Sequence, residues 1–338
     1  MACDCDYILS TRNGWMQHYD NCSSMLGANK KALRNSDGTL RLTNDHLLKL
    51  EHDHLHHLGF DTTKYNLPAI FGDVKFVCIG GTKNRMREFA NHMADVLRVD
   101  TGGGLENMTK HSHRYAMYKV GPVLSVNHGI GIPSMTVVLQ ELIKLLYYAK
   151  VKNPIFFRIG TCGGLDIPPG SVVVSEWALN GTLEKSYDIP ILGKIRKLPA
   201  HFDRRLCQEV QSVITENDGF KTYVGGTMAA DDFYRGQGRL DGPFCDYSED
   251  DKYAFLKTLV GLGVKNIEME ATAFAAMTTE AGIRASDVCV TLVNRLCGDK
   301  PINDKSSLTT WQKRPMLVVG RYISAYVNDR KKNNSSIM

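Results

Sequence analysis

No apolar stretch of this 338-residue chain approaches the roughly 20 residues that a membrane-spanning helix needs, so no membrane association is expected. The first ten residues carry Asp4 and Asp6 and no apolar segment, so they do not read as a secretory signal. Neither sign of charge dominates: Lys and Arg number 41 against 36 for Asp and Glu. The basic residues are not gathered along one helix or interleaved with aromatics, so nucleic acid is not an expected partner. Nothing matches a Walker loop with its Lys followed by Ser or Thr, and neither Gly80-Gly81 nor Gly236-Gln237-Gly238 fits the dinucleotide fingerprint. The nine cysteines are odd in number and scattered, several inside apolar runs such as 76–79 and 288–290. Buried thiols in a reducing, cytoplasmic setting are the simplest reading. Cys3 and Cys5 lack metal-ligand spacing.

What is present is an ordinary globular balance, 43% hydrophobic and 23% charged, enough for one large core. Residues 1–40 are polar and rich in Asn, Ser, Asp and Gly, which reads as a poorly ordered extension. Residues 331–338 read as a polar tail, leaving 41–330 as the folded unit. A helix over Thr43 to Leu58 is expected to carry His52, His54, His56 and His57. His52 and His56 would share one helical face, but no Cys or carboxylate set completes a metal site, and a solvated or partner-facing helix is preferred.

Beyond it the chain alternates short apolar runs with amphipathic stretches. Val74 to Ile79 leads through Gly80-Gly81 into a helix over 84–98 with Met86, Phe89, Met93 and Leu97 on one side. Val123 to Val126 leads through the glycine-rich stretch 128–134 into a long helix marked by Met135, Val138, Leu142, Leu145 and Ala149. Further strands are expected at 155–157, 172–174, 223–225, 267–269 and 288–292, and helices at 202–215, 250–261, 270–281 and 315–328. This rhythm implies an α/β fold with a mixed central sheet flanked by helices, its site beyond the carboxyl ends of the strands.

Three glycine-rich turns each have an arginine nearby: Gly80-Gly81 with Arg85, 160–164 preceded by Arg158, and 236–238 followed by Arg239. Exposed backbone N–H groups and guanidinium forks suit an oxyanion, although a glycine after a strand is more often only the turn the chain needs. Arg158 is more informative. It sits in the apolar run Phe156-Phe157-Arg158-Ile159, and a buried guanidinium needs an anionic partner. Glu268 and Glu270 fall where a strand becomes a helix; Glu270 could cap that helix or accept from paired sugar hydroxyls.

The stretches 71–76, 114–126, Arg158-Ile159-Gly160-Thr161, 232–242 and 266–270, in this order and spacing, resemble the uridine phosphorylases of animal type over about residues 45–328. The resemblance implies a single-domain nucleoside phosphorylase fold with a distorted central sheet, and a homodimer whose subunits share active sites. It implies reversible phosphorolysis of uridine to uracil and ribose 1-phosphate, with inorganic phosphate as co-substrate and no cofactor or metal. Carried onto this chain, it assigns phosphate to Gly81, Arg85, Arg158 and Thr161, with Arg114 from the neighbouring subunit. Ribose falls to Thr161, Met269 and Glu270, with His57 from the partner. The base falls to Phe233, Gln237 and Arg239, of which Gln237 and Arg239, with Glu270, would carry the catalytic effect.

Cys162, where that family more often has a small hydroxyl residue, and Ala229-Ala230-Asp231 depart from its pattern. A thiol replacing a hydroxyl is preferred to a redox role for Cys162, and a structural role is preferred for His128. Two other classes compete: a nucleoside-binding paralogue without turnover, and a nucleoside hydrolase, which would need a calcium-binding Asp cluster that this chain lacks. A phosphorylase of purine or broader specificity would share the phosphate and ribose contacts.

Overall fold

The computed structural model describes residues 33–301 and 303–335, with side chains to Arg330. The chain opens with a short helix α1 (Asp45–Leu48), a small hairpin β1 (His54–Leu55) and β2 (Phe60–Asp61), and α2 (Leu67–Phe71). Then follow β3 (Phe76–Gly80), α3 (Lys83–Leu97), β4 (Met117–Val120), β5 (Val123–Asn127), α4 (Gly131–Tyr148), β6 (Ile155–Gly164) and β7 (Val172–Leu179). A hairpin β8 (Ser186–Ile191) and β9 (Lys194–Pro199) precedes α5 (Arg204–Gln211), β10 (Thr222–Ala229), α6 (Glu249–Gly261), β11 (Val264–Glu268) and α7 (Ala271–Glu280). The chain finishes with β12 (Arg284–Asn294), α8 (Lys305–Trp311) and α9 (Arg314–Ser335).

Eight strands form the central sheet in the order β11-β10-β7-β12-β6-β3-β5-β4. The sheet is mixed: β3 runs parallel to β5 and β6, while β12 runs parallel to β6 and antiparallel to β7. It also curls on itself. Asn266 and Ile267 of β11 pair back onto Gly164 and Gly163 of β6, closing five strands into a ring from which β3, β5 and β4 extend. That closure is the distortion expected of the sheet. It needs a long β6 that serves β3 with its first half and β11 with its last residues, and the glycines at 160, 163 and 164 allow close approach there.

Helices cover the sheet with the faces their periodicity dictates. Met86, Phe89, Ala90 and Met93 of α3 are buried, and Thr82 caps the helix by accepting from Arg85 N–H. Met135, Val138, Leu142 and Leu145 of α4 are buried likewise. Tyr322 and Tyr326 of α9 pack edge-on against Phe76 of β3, and Tyr322 also against Phe157 of β6. Among the described residues no helix is long and apolar enough to cross a membrane, and the six cysteines are free thiols.

Three expectations need correction. No helix runs from Thr43 to Leu58: α1 ends at Leu48, and residues 52–56 alternate exposed histidines with buried Asp53 and Leu55, the period of a strand. Tertiary contacts decide this. Asp53 is held by Lys144 and Tyr148 of α4, each at 2.7 Å, and the Glu141 carboxylate accepts the N–H groups of His57 and Leu58. Residues 33–40, assigned to the polar extension, pack on the domain through donation from the Arg34 guanidinium to the Gly282 backbone oxygen and through the buried Leu40. Residues 1–32, with Cys3, Cys5 and Cys22, lie outside the described residues. The backbone of α9 continues to Ser335, past the expected start of the tail at 331.

Candidate active site

The carboxyl ends of β3, β6, β11 and β12 meet the turn after β5 and the 230–240 loop around a cavity of about 490 Å³. Of the eleven assigned site residues, nine border it: Gly81, Arg85, Arg158, Thr161, Phe233, Gln237, Arg239, Met269 and Glu270. His57 and Arg114 do not border it.

One end of the cavity is built around Arg158. Parallel register sets Arg158 beside Asp287 of β12, and its guanidinium pairs with Asp287 Oδ1 and Glu268 Oε2, each at 2.9 Å, and with Glu270. All four side chains are at least 95% buried. A Cβ at Gly160 would fall 2.9 Å from Arg158 Nη1 and 2.6 Å from Cys289 Sγ, so glycine is what lets the guanidinium lie against the strand. Burial pushes the Glu268 carboxyl up to about 8 against the pull of Arg158, with Glu270 and Asp287 adding to the rise. Glu270 is also pushed up by burial, but Arg158 and the Gly131 N–H outweigh this and hold its pKa below the usual carboxyl value. Glu268 in turn accepts the N–H groups of Glu270 and Ala271 at 2.8 and 2.9 Å, fixing the entry to α7.

Three of the five N–H groups of Arg158 can thus be spent on carboxylates, leaving Nε–H, buried without a partner, and one N–H of Nη2. Arg85 stands nearby, its Nη2 donating to Gln312 at 2.8 Å and its Nε unpartnered. Gly81, Thr161 and His128 also line the cavity. Two guanidiniums here face three carboxylates. In charge, this corner of a single chain is at most balanced.

The other end holds Gln237, Arg239 and Phe233. Arg239 is gripped by Asp241 through Nε at 2.9 Å and Nη2 at 3.0 Å, donates to Asp299 O, and lies 4.4 Å over the half-exposed Phe233 ring. Its Nη1 is uncommitted. Gln237 is oriented by Arg295, which donates to the Gln237 backbone oxygen at 2.7 Å and approaches its Oε1 at 3.4 Å. Arg295 is fully buried, and Asp299 pairs with it at 3.1 Å. Sequence reasoning missed Arg295 and Asp299. Both follow the last residue of β12, where charge is ordinary, so they lacked the signal that singled out Arg158 inside its apolar strand.

His57 and Arg114 meet elsewhere. Ser112 Oγ donates to His57 O at 2.5 Å and accepts from Arg114 N–H at 3.4 Å. The His57 ring, 43% exposed, hydrogen-bonds Glu141 at 2.7 Å, and Arg114 is exposed. The histidine stretch offers no alternative centre: among the described residues no three His, Cys, Asp or Glu side chains could together hold a metal ion.

Closed strand ring, charged cavity and glycine-lined wall together belong to an established class, for a sequence profile of the phosphorylase superfamily matches residues 75–324. The chain belongs to that superfamily. It is 42% identical over 300 residues to uridine phosphorylase 1 of Mus musculus, covering 88% of this chain and 96% of the relative. It is 38% identical over 299 residues to the inactive uridine phosphorylase B of Schistosoma mansoni, covering 88% and 98%. Among solved structures, uridine phosphorylase from Schistosoma mansoni in complex with thymidine superposes with a TM-score of 0.80 at 39% identity, covering 87% of this chain and 99% of that one.

Proposed function

We propose that this protein is a uridine phosphorylase that reversibly converts uridine and inorganic phosphate to uracil and ribose 1-phosphate. The observation that carries this reading is the gathering of nine assigned residues around one cavity, with the two kinds of group the reaction needs in two separate side-chain clusters. A phosphate oxygen attacks the anomeric carbon while the glycosidic bond breaks and its electron pair leaves with the base. Positive charge builds on the sugar and negative charge on the uracil. Phosphate held by Arg85, Arg158, Thr161 and the Gly81 N–H supports the first, and donors from Gln237 and the free Nη1 of Arg239 support the second. Glu270 and Met269 hold the ribose, and Phe233 covers the base. No electrons or groups beyond those of the substrates are required, so phosphate is the co-substrate and no cofactor takes part.

Two features favour a homodimer with shared sites. His57 and Arg114 lie together on the surface, away from their own cavity, where they can serve a neighbour. The balanced charge around Arg158 also leaves an incoming phosphate short of one cation, which the partner's Arg114 supplies. Free thiols suit a reducing, cytoplasmic setting.

The test is uracil release from uridine by purified protein with and without phosphate, with inosine and thymidine as competitors. Phosphate-dependent release supports the proposal. Uridine binding without release supports instead a nucleoside-binding protein, a reading that the likeness to an inactive relative keeps in view.

A further inference from the structure

His128 occupies the turn between β5 and α4, 99% buried, and is one of the residues that line the cavity. Its backbone is pinned by N–H donation to Gly80 O at 2.8 Å and by acceptance from Ser134 Oγ at 2.6 Å. The ring itself is idle. Neither Nδ1 nor Nε2 has a hydrogen-bond partner, a costly arrangement for a buried imidazole unless a ligand completes it. The charged groups that act on the ring are Glu270, Arg158 and Arg85. These are the groups of the phosphate end, so the ring lies near that end of the cavity.

The turn is shaped for this placement. Gly129 adopts φ +77°, and a Cβ there would strike Ser134 Oγ at 2.5 Å, so the residue after His128 must be glycine. Gly129 N–H donates to Gly81 O at 3.1 Å, which ties the His128 turn to the backbone that offers the Gly81 N–H. We propose that His128 is a phosphate ligand of this chain, donating one ring N–H to an oxygen of the anion held between Arg85 and Arg158. The inference rests on the reading of this corner as a phosphate site. Burial holds the ring neutral, its pKa drawn down to about 3, so it carries one N–H and one lone pair. A neutral donor suits the corner because it adds no charge to the Arg–carboxylate cluster when the site is empty.

The test is calorimetric titration of full-length protein with inorganic phosphate, for wild type, His128→Leu, His128→Asn and His128→Gln. The Leu variant should bind phosphate about tenfold more weakly, the effect of one lost hydrogen bond. The Asn amide overlies Nδ1 and the Gln amide overlies Nε2, so one of the two should recover most of the loss and so identify the donating nitrogen. The KM for uridine at saturating phosphate should change by less than about twofold in the variants that retain turnover. Unchanged phosphate affinity in the Leu variant overturns the proposal, as does equal loss of phosphate affinity in all three variants together with equal losses of thermal stability. Should the Leu variant not fold, wild-type protein labelled with ¹⁵N-histidine decides: phosphate must shift one ring resonance absent from the Gln variant, and no shift overturns the proposal. The two readings can fail separately. Wild type that binds phosphate yet releases no uracil defeats the enzymatic reading and leaves the variant series to judge His128, whereas an active enzyme indifferent to His128→Leu defeats only the inference.

Discussion

Replacing Arg158 with methionine removes the one cation that three buried carboxylates share, while keeping the bulk of the side chain. Glu268, Glu270 and Asp287 have side chains only 1%, 5% and 0% exposed, so water cannot take over the role of the guanidinium. Breaking a buried ion pair from one side costs about 3–5 kcal/mol, because the remaining charge is stranded. At about 2 °C per kcal/mol, the low end for chains of this size, Tm should fall by roughly 6–10 °C. The loss should also depend on pH. Without Arg158 the Glu268 and Glu270 carboxyls rise in pKa and need protons to stay buried, so the variant should be least stable relative to wild type near pH 8 and recover towards pH 5. Scanning calorimetry at a fixed rate, at both pH values, measures this. Lys119→Met is the control, since it breaks a surface pair with Asp73, formed at 2.8 Å beside a 58% exposed carboxylate, and should cost less than about 1 kcal/mol. If Arg158→Met shifts Tm no more than this control at either pH, the account of the cluster is wrong.

Glu268→Gln probes the same cluster from the acid side. With a folded pKa near 8 against an ordinary carboxyl value near 4.5, wild type binds the extra proton in the folded state and loses stability as pH rises through that window; Gln in its place should flatten the decline in Tm. Arg114→Ala should raise the KM for phosphate at least tenfold. Mixed by refolding with Glu270→Ala subunits, it should recover about a quarter of wild-type activity, since half of the dimers would be mixed and each would hold one intact site. No recovery would show that sites are not shared. Arg295→Leu should lower kcat/KM for uridine about tenfold or more by releasing Gln237, while calorimetric phosphate affinity stays within twofold; an equal loss at both ends would mean general collapse of the cavity.

Much of the strand-and-helix order was legible because it rests on local chemistry. Met86, Phe89 and Met93 recur at helical spacing and are buried on α3, and the apolar runs at 155–157, 172–174 and 288–292 are the hearts of longer strands. The reading failed where distant groups decide. Residues 52–58 form a hairpin turn because Glu141, Lys144 and Tyr148 of α4 capture their polar groups, and no local pattern announces α4 as the partner. The outlying β8–β9 hairpin, whose exposed positions carry little apolar alternation, also escaped notice.

By itself the sequence determined which chemistry is available: arginines inside apolar strands, carboxylates at a strand-to-helix junction, and glycines where backbone must come close. Those are consequences of residue type and neighbourhood, which a linear chain displays. Tertiary structure alone decided how the charges are shared. Only the closure of β6 onto β11 and its register with β12 place Glu268, Glu270 and Asp287 around one guanidinium, while other tertiary contacts leave His128 with two idle nitrogens and hold His57 and Arg114 outside the cavity lining. Such pairings join residues more than a hundred positions apart, so their energies depend on a folded geometry that no local stretch of sequence encodes.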